Sequence, residues 1–414
     1  MNMREDALRI IEEAIQAVYP ENSVKKALGN FKGEGKIEVL AIGKAAWRMA
    51  RAARESLQDR ISGGIVITKY GHSMGEIEDF IIYEAGHPIP DKNTIEATKR
   101  ALDMVKDLKG EDLLLFLISG GGSSLFELPA ENVELEDLIS ITDQLLRSRA
   151  AISEINAVRK HLSRVKGGHF AKTVNPVKIF SLVLSDVLDD RLDTIASGPA
   201  YPDSTTSQDA IAVIEKYDIK LPSRVLNALK KETPKSLRNI ETRVVGSISM
   251  ACEAAKLTAV QLGYTSMILT TSLDCEAREA GTFLSAIARE VSASEQPVRK
   301  PCAMILGGET VVWVKGKGLG GRNQELALSA ACGIEGLENI VIASVATDGT
   351  DGPTDAAGGL VDSGTMMRLR GKGINVEEVL NHNDSYHALA LVGDLLKTGP
   401  TGTNVNDLII LLCR

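Results

Sequence analysis

Short apolar runs alternate along the chain with longer amphipathic stretches. The run Leu113–Ile118 is too short to cross a membrane and is typical of a strand buried on both faces of a parallel sheet. Similar runs predict strands at 36–42, 64–68, 80–84, 178–185, 242–248, 264–270, 302–306, 340–346 and 408–412. Apolar residues at helical spacing predict helices at 4–18, 21–28, 45–57, 92–108, 134–146, 148–166, 207–217, 250–262, 275–293, 362–370, 376–380 and 384–397, with another beginning near 323. This alternation indicates an α/β fold with a mostly parallel sheet and helices on both of its faces.

The chain is long enough for two domains. It has 414 residues, and the polar, proline-bearing segment 230–241 interrupts the alternation. We therefore predict a larger domain at 1–240 and a smaller α/β domain at 241–414. In the second domain Val311–Val314 is expected to pair in a hairpin.

A glycine loop follows the strand Leu113–Ile118. Its residues are Ser119, Gly120, Gly121, Gly122, Ser123 and Ser124. Consecutive glycines leave backbone N–H groups accessible, and a strand that feeds such a loop often forms a phosphate-binding nest. The loop lacks the lysine of a P-loop, so a bound phosphate would need positive charge from elsewhere in the chain. A glycine turn without a ligand is the alternative.

Two cations stand where helices are predicted to begin. Lys44 follows the strand 36–42 and Gly43, and Arg322 follows Gly320 and Gly321. A cation is unfavourable at the positive end of a helix unless an anion binds there. Both residues are therefore candidate anion ligands, although each could also be a solvated surface residue. His87, in a rigid Gly-His-Pro-Ile-Pro loop, could contact the same ligand or only fix its own loop.

Several acidic residues follow predicted strands. Asp186 follows the strand 178–185, Glu309 follows 302–306, and Asp348 and Asp351 follow 340–346. A carboxylate at a strand end can bind Mg²⁺ or accept a hydroxyl proton. Asp residues that only stabilise turns are the alternative for the last pair. Glycine loops, isolated cations and strand-end carboxylates together are typical of active sites for Mg²⁺-dependent phosphoryl transfer.

Composition narrows the functional class. The net charge is −8 and aromatic residues make up 4%, which argues against nucleic-acid binding. The five cysteines form no C-x-x-C pair, so neither a metal site nor a disulfide framework is indicated. The N-terminus is an acidic amphipathic helix rather than a secretory signal. We expect a cytoplasmic protein without membrane association.

The motifs occur in an order typical of one family. IGKAAWRMA, GHPIPD, SGGGSSL, LSDV with IASGP, GGET, GLGGRNQELAL and ATDGTDGPTDAAGG resemble the MOFRL-type (class II) glycerate kinases, from about residue 40 to the C-terminus. The resemblance implies a Rossmann-like N-terminal domain, a smaller MOFRL-type C-terminal domain and an active site in the cleft between them.

The resemblance also implies a reaction. Such enzymes transfer the γ-phosphoryl group of ATP to D-glycerate with a divalent cation, and many form 2-phosphoglycerate, as in branched Entner–Doudoroff pathways. Lys44, Asp186 and Arg322 match catalytic positions of the family, and Glu309 and Asp351 match further acidic positions. The expected cofactors are ATP and Mg²⁺, and the expected oligomeric state is a monomer or homodimer.

Two alternatives remain open. An NAD(P)-dependent hydroxypyruvate reductase would need a G-x-G-x-x-G turn, but the first strand ends in Gly43-Lys44-Ala45-Ala46. A non-catalytic nucleotide-binding protein would not require Lys44, Asp186 and Arg322 together.

Overall fold

The computed structural model describes residues 2–29, 31 and 35–414. The chain divides into two compact units. One unit is Pro20–Val245, and the other combines Met1–Tyr19 with Gly246–Arg414. The predicted boundary at 240/241 lies five residues before the observed division. The N-terminal helix, predicted as part of the first domain, belongs to the unit that contains the C-terminus.

The unit Pro20–Val245 contains a six-stranded sheet. Its strands are β1 (Ile37–Ile42), β2 (Ile61–Lys69), β3 (Phe80–Ala85), β4 (Leu113–Ile118), β5 (Lys178–Leu184) and β6 (Ile240–Gly246). Their order in the sheet is β3-β2-β1-β4-β5-β6, the order found in dinucleotide-binding Rossmann folds. β1 and β4 are buried along their whole length, as expected for the centre of a parallel sheet covered on both faces.

Helices of this unit connect and cover the strands. They are α2 (Pro20–Leu28), α3 (Ala46–Leu57), α4 (Lys92–Lys106), α5 (Gly122–Leu125), α6 (Leu135–Arg147), α7 (Ile152–His161), α8 (His169–Val174), α9 (Ser207–Lys216) and α10 (Ser223–Leu229). Apolar side chains of β1, β4, α4 and α8 form one core cluster. A separate cluster joins α6, α7, α9 and α10.

The other unit has a mixed six-stranded sheet. Its strands are β7 (Thr265–Leu273), β8 (Cys302–Gly308), β9 (Ile340–Ala346), β10 (Gly358–Asp362), β11 (Leu395–Leu396) and β12 (Asp407–Cys413), in the order β11-β10-β9-β12-β8-β7. Its helices are α1 (Met3–Ala17), α11 (Ile248–Gln261), α12 (Ala277–Ser294), α13 (Arg322–Gly333), α14 (Thr365–Gly371), α15 (Val376–Asn381) and α16 (Ser385–Val392). The β7–β8 pairing is parallel. β12 pairs antiparallel with both β8 and β9, and β9 pairs antiparallel with β10.

The predicted α/β class with two domains is confirmed, and several local predictions are wrong. The hairpin at Val311–Val314 does not form, and Val311 instead makes a single parallel bridge to Glu276. The strand predicted at 242–248 was assigned to the second domain, but β6 completes the first sheet. The helix predicted at 148–166 is shorter, and that predicted at 384–397 ends at Val392 before β11.

Among the described residues, no helix is both long enough and apolar enough to cross a membrane.

Candidate active site

The glycine loop and Lys44 lie at the centre of the first sheet. β1 and β4 are parallel neighbours, and Ile42 and Ile118 pair at their carboxyl ends. The chain leaves β1 towards β2 on one side and reaches β4 on the other, so the strand order reverses here. In open α/β sheets, this reversal opens the crevice in which ligands bind.

Backbone hydrogen bonds join the two strand ends. The Lys44 N–H donates to the Gly120 carbonyl at 2.8 Å, and the Ala45 N–H donates to Ser119 Oγ at 3.1 Å. Gly43 has φ 112°, and a Cβ there would lie 2.3 Å from Ser119 Oγ. Only glycine permits this close approach. The start of α3 and the glycine loop are therefore held together as one structure.

Successive backbone N–H groups of the loop have no internal partner. Those of Gly120, Gly121, Gly122 and Ser123 donate to no acceptor in the part of the chain that the structure describes. Gly121 has φ 84°, and left-handed residues of this kind turn consecutive N–H groups towards a common point. The loop thus has the backbone of an anion nest.

Three of the predicted side chains border this nest. A Cβ on Gly121 would lie 3.0 Å from the His87 ring and 3.3 Å from Lys44 Cγ. A Cβ on Gly120 would lie 2.1 Å from Asp186 Oδ2. The structure therefore brings Lys44, His87 and Asp186 together around two glycines, although they follow different strands in the sequence.

The electrostatics of the loop favour an anion. Lys44 is half-buried and has no carboxylate within 4.0 Å among the described residues. Burial, together with the smaller effects of the charges of Lys44 and Lys69, lowers the pKa of His87 to about 4. His87 is consequently a neutral hydrogen-bonding group at physiological pH, beside unpaired positive charge.

The loop also has neighbours that the sequence did not point to. Ser123 Oγ lies 2.9 Å from Ser197 Oγ, which donates to Asn156 Oδ1 at 3.1 Å. Arg159 Nη2 donates to the Ser123 carbonyl at 3.3 Å. Asn156 and Arg159 are three residues apart on α7, so they share one face of the helix. In the sequence, that spacing was the only indication that α7 contributes polar side chains beside the predicted glycine loop.

Arg322 in the other unit is held by two carboxylates. Its Nε and Nη2 donate to Asp407 at 2.6 and 3.0 Å, and its Nη1 donates to Glu309 at 2.7 Å. Asp407 is 1% exposed, and burial raises its pKa to about 6 despite the opposing effect of Arg322. Asp407 was missed because it begins β12 and resembles an ordinary strand residue.

Asp351 lies at the start of α13. Its carboxylate accepts from the N–H groups of Asn323 and Gln324 at 3.1 and 2.9 Å and from both of their side chains. A Cβ on Gly321 would lie 2.3 Å from the Asp351 carboxyl carbon. These contacts give Asp351 a helix-capping role. Arg322 is the cationic residue at the same end of α13.

The other predicted residues of this unit have simple surroundings. Gly320 is packed against Ser385, and a Cβ on Gly320 would lie 2.3 Å from Ser385 Oγ. Asp348 Oδ1 accepts from the Thr350 N–H at 2.9 Å. Glu309 is exposed apart from its contact with Arg322. Within the described residues, no group of three or more acidic, histidine or cysteine side chains could hold a metal ion by itself. A magnesium ion would thus depend on one or two carboxylates together with substrate phosphates.

A Rossmann-type sheet with an anion nest at its strand reversal, and a second α/β unit with an arginine at a helix start, define a class of nucleotide- or phosphate-binding α/β proteins. Family models narrow this class. The "Domain of unknown function (DUF4147)" matches residues 6–230, and the "MOFRL family" matches residues 302–407.

Individual relatives agree with the family models. The D-glycerate 2-kinase of Thermotoga maritima is 56% identical over 99% of this chain and 98% of its own length. The glycerate 2-kinase of Pyrococcus horikoshii is 45% identical over 100% of this chain and 98% of its own. A relative from Agrobacterium vitis that is named for hydroxypyruvate reduction is 40% identical over 100% of this chain and 95% of its own.

A solved structure extends the similarity to the fold. The crystal structure of glycerate kinase from Thermotoga maritima has a TM-score of 0.97 and covers 100% of this chain and 99% of its own. The chain therefore belongs to the MOFRL-type class II glycerate kinases, with a DUF4147 domain followed by a MOFRL domain.

Proposed function

We propose that the protein transfers the γ-phosphoryl group of ATP to D-glycerate and forms 2-phosphoglycerate. The observation that carries this proposal is the unpaired Lys44 beside four free N–H groups at the strand reversal. A nest with a separate cation fits a phosphate chain. Family membership and the two 2-kinase relatives support glycerate as the acceptor.

Each residue of the candidate site has a separate role in the proposed phosphoryl transfer. The N–H groups of Gly120, Gly121, Gly122 and Ser123 would hold phosphate oxygens, and Lys44 would stabilise charge on the transferred group. Asp186, beside Gly120, would orient or deprotonate the attacking hydroxyl. Arg322 would contact the same phosphoryl group or the glycerate carboxylate, because its guanidinium suits both anions.

A bound Mg²⁺ would supply charge neutralisation between phosphate oxygens. Asp186 fits best as its carboxylate ligand, because it borders the nest. Glu309, Asp348 and Asp351 remain predicted metal ligands, and the carboxylate of Asp351 already accepts four hydrogen bonds at α13.

Other predictions of the sequence also remain proposals. The predicted cofactor contacts are Ser119, Ser124, His87, Gly320 and Gly321. A cytoplasmic location, a monomer or homodimer, and a role in an Entner–Doudoroff-type route also remain proposals.

A coupled assay of ADP release tests the function. D-glycerate, L-glycerate and other small hydroxy acids would be supplied with ATP and Mg²⁺, and the phosphorylated position would be identified by NMR. We expect D-glycerate to be the preferred acceptor and 2-phosphoglycerate to be the product. Absence of glycerate-dependent ADP release would refute the proposal, and 3-phosphoglycerate would refute the assigned position.

Hydroxypyruvate reduction is the second candidate, because the relative from Agrobacterium vitis is named for it. The turn after β1 lacks the G-x-G-x-x-G pattern, because Ala45 and Arg48 stand where the pattern has its second and third glycines. NAD(P)H oxidation with hydroxypyruvate in the absence of ATP would establish this alternative.

A double-mutant cycle tests whether Lys44 and Arg322 act on one phosphoryl group. We expect Lys44→Met and Arg322→Lys each to lower kcat/KM by roughly 100-fold or more, by analogy with cations in other phosphoryl-transfer enzymes. The double variant should be less impaired than the product of the two effects, because residues that act as a unit are not additive. Strictly multiplicative effects would separate the two roles.

A further inference from the structure

Arg159 is a half-buried cation beside the glycine loop, and its charge has no ion-pair partner. It lies on α7, and its Nη2 donates to the Ser123 carbonyl at 3.3 Å. Among the described residues no carboxylate lies within 4.0 Å of its guanidinium. One weak hydrogen bond uses only a fraction of its five donors. Removing such a charge from water without a counter-charge is unfavourable.

The nearby acid does not neutralise Arg159. Glu127 is 2% exposed and pairs with the Nζ of Lys166 at 2.6 Å, and it also accepts from Ser163 Oγ. Desolvation lowers the pKa of Arg159, and Glu127 opposes this only in part. The next cation on α7, Lys160, contrasts with Arg159 because it binds buried Asp203 at 3.1 Å. The charge of Arg159 therefore stays uncompensated.

A second unused donor lies on the same face of α7. Asn156 is 5% exposed, and its Oδ1 accepts from Ser197. Its Nδ2 donates to no acceptor that the described residues provide. Ser197 links this amide to Ser123 of the loop. Two polar side chains of α7 thus present unused donors where the glycine loop presents unused N–H groups.

We propose that Arg159 binds an anionic oxygen group of a substrate, with Asn156 as a neighbouring donor. This inference rests on the proposed kinase function and adds an anion ligand to its site. The shared chemistry is a planar or tetrahedral oxyanion, which is either the carboxylate of the hydroxy acid or a phosphate of the nucleotide. Arginine binds both groups with paired N–H donors, so bound substrate would supply the missing negative charge.

Steady-state kinetics distinguish the two sources. Arg159→Met removes the charge and keeps an unbranched side chain, and Arg159→Lys keeps the charge without the paired donors. We expect Arg159→Met to raise one KM by about 10- to 100-fold, the range for a charged hydrogen bond, and Arg159→Lys to have an intermediate effect. A rise confined to D-glycerate identifies its carboxylate, and a rise confined to ATP identifies a phosphate. Values within twofold of wild type for both substrates would overturn the inference.

Arg164→Met is the matched control. Arg164 is exposed and only three residues beyond the end of α7, so its loss changes the net charge equally without touching the loop. We expect wild-type kinetics from this variant. An equal rise in KM for Arg164→Met would attribute the effect to overall charge and would overturn the inference.

Thermal unfolding separates ligand binding from a structural role. Because the charge of Arg159 lacks a partner, Arg159→Met should unfold at or above the wild-type Tm without ligand. The rise in Tm that ADP or D-glycerate causes in wild type should shrink in the variant. A lowered Tm with an undiminished ligand effect would show that Arg159 only supports the loop.

Thermal unfolding with ligand also distinguishes failure of the proposed kinase function from failure of the proposed Arg159 anion site. If wild type releases no ADP with glycerate, the proposed function fails. Stabilisation by ADP or inorganic phosphate that depends on Arg159 would still support an anion site, and its independence of Arg159 would refute that site.

Discussion

Lys44 and Arg322 are both cations at helix starts, but their surroundings differ. Lys44 has no ion pair among the described residues, whereas Arg322 is held by Asp407 and Glu309. Removing Lys44 should therefore affect ligand binding and rate with little effect on folding. Removing Arg322 should affect both, because it would leave a buried carboxylate unpaired.

A compensating pair of substitutions tests this difference. We expect Arg322→Gln to lower the free energy of unfolding by roughly 3 kcal/mol, because Asp407 is 1% exposed and loses its partner. Arg322→Gln with Asp407→Asn should recover much of that stability, since no buried charge remains. Neither variant should recover activity. Urea unfolding and ADP release measure the two properties, and a double variant as unstable as the single one would contradict the interpretation.

His87 should make folding sensitive to acid. Its pKa is lowered to about 4 from an ordinary value of 6.5, so the unfolded chain binds a proton first as the pH falls. This contribution to stability is present above pH 6.5 and is lost as the pH falls towards 4. The difference in unfolding free energy between wild type and His87→Gln should thus shrink over this window.

His169 provides the comparison for that measurement. Burial also lowers its pKa to about 4, and it lies in α8 rather than beside Gly121. His87→Gln should therefore retain part of the acid sensitivity, and the double variant with His169→Gln should lose more. A difference between wild type and His87→Gln that is constant from pH 4 to 8 would contradict the assignment of a neutral His87.

Single-residue signals were only partly readable in the sequence. Lys44 is a predicted anion ligand because a strand and a glycine precede it, and Arg322 is one because two glycines precede it. Arg159 lies inside a helix, where a basic residue off the apolar stripe resembles a solvated one. Its contact with the Ser123 carbonyl depends on how α7 packs, which periodicity does not determine.

At the scale of elements, the connection from β4 into α5 is the most constrained part of the candidate site. A Cβ on Gly120 would lie 2.1 Å from Asp186 Oδ2, so the strand end and the next strand's carboxylate share one small space. We expect Gly120→Ala to displace Asp186 and to lower kcat/KM by about 100-fold, since small misplacements of reacting groups have effects of this size.

Gly110→Ala is the matched control for this element. Gly110 is exposed, and a Cβ there would meet nothing within 4 Å. The control should keep wild-type kinetics and a wild-type Tm. Near-normal turnover in Gly120→Ala would show that the position of Asp186 is not critical.

The central elements were the most predictable from the sequence. β1 and β4 are continuous apolar runs, so their period and length identified them. β10 and β11 were missed, because Gly358–Asp362 begins with two glycines and Leu395–Leu396 has only two residues. Both depend on pairing with distant neighbours, and local pattern carries little information about such pairing.

At the scale of the whole molecule, sequence order and structural units do not coincide. Helix α1 comes first in the chain but packs within the unit that contains Gly246–Arg414. Its Asp6 accepts hydrogen bonds from the Tyr264 hydroxyl at 2.7 Å and from Arg414 at 2.8 Å. A domain boundary predicted from composition misses this packing, because no local feature of residues 2–19 indicates which elements they contact.

The two faces of α1 give a direct test of this arrangement. Ile10 is fully buried, whereas Leu8 is 47% exposed. Ile10→Ala should lower the free energy of unfolding by about 2–5 kcal/mol through the lost burial and the cavity left behind. Leu8→Ala should change it by less than about 0.5 kcal/mol. Because α1 packs on α11 within one unit, hydrogen exchange in Ile10→Ala should accelerate in α11, β9 and β12, while β1 and β4 stay protected. Faster exchange confined to β1 and β4 would instead place the helix with the unit that follows it in sequence.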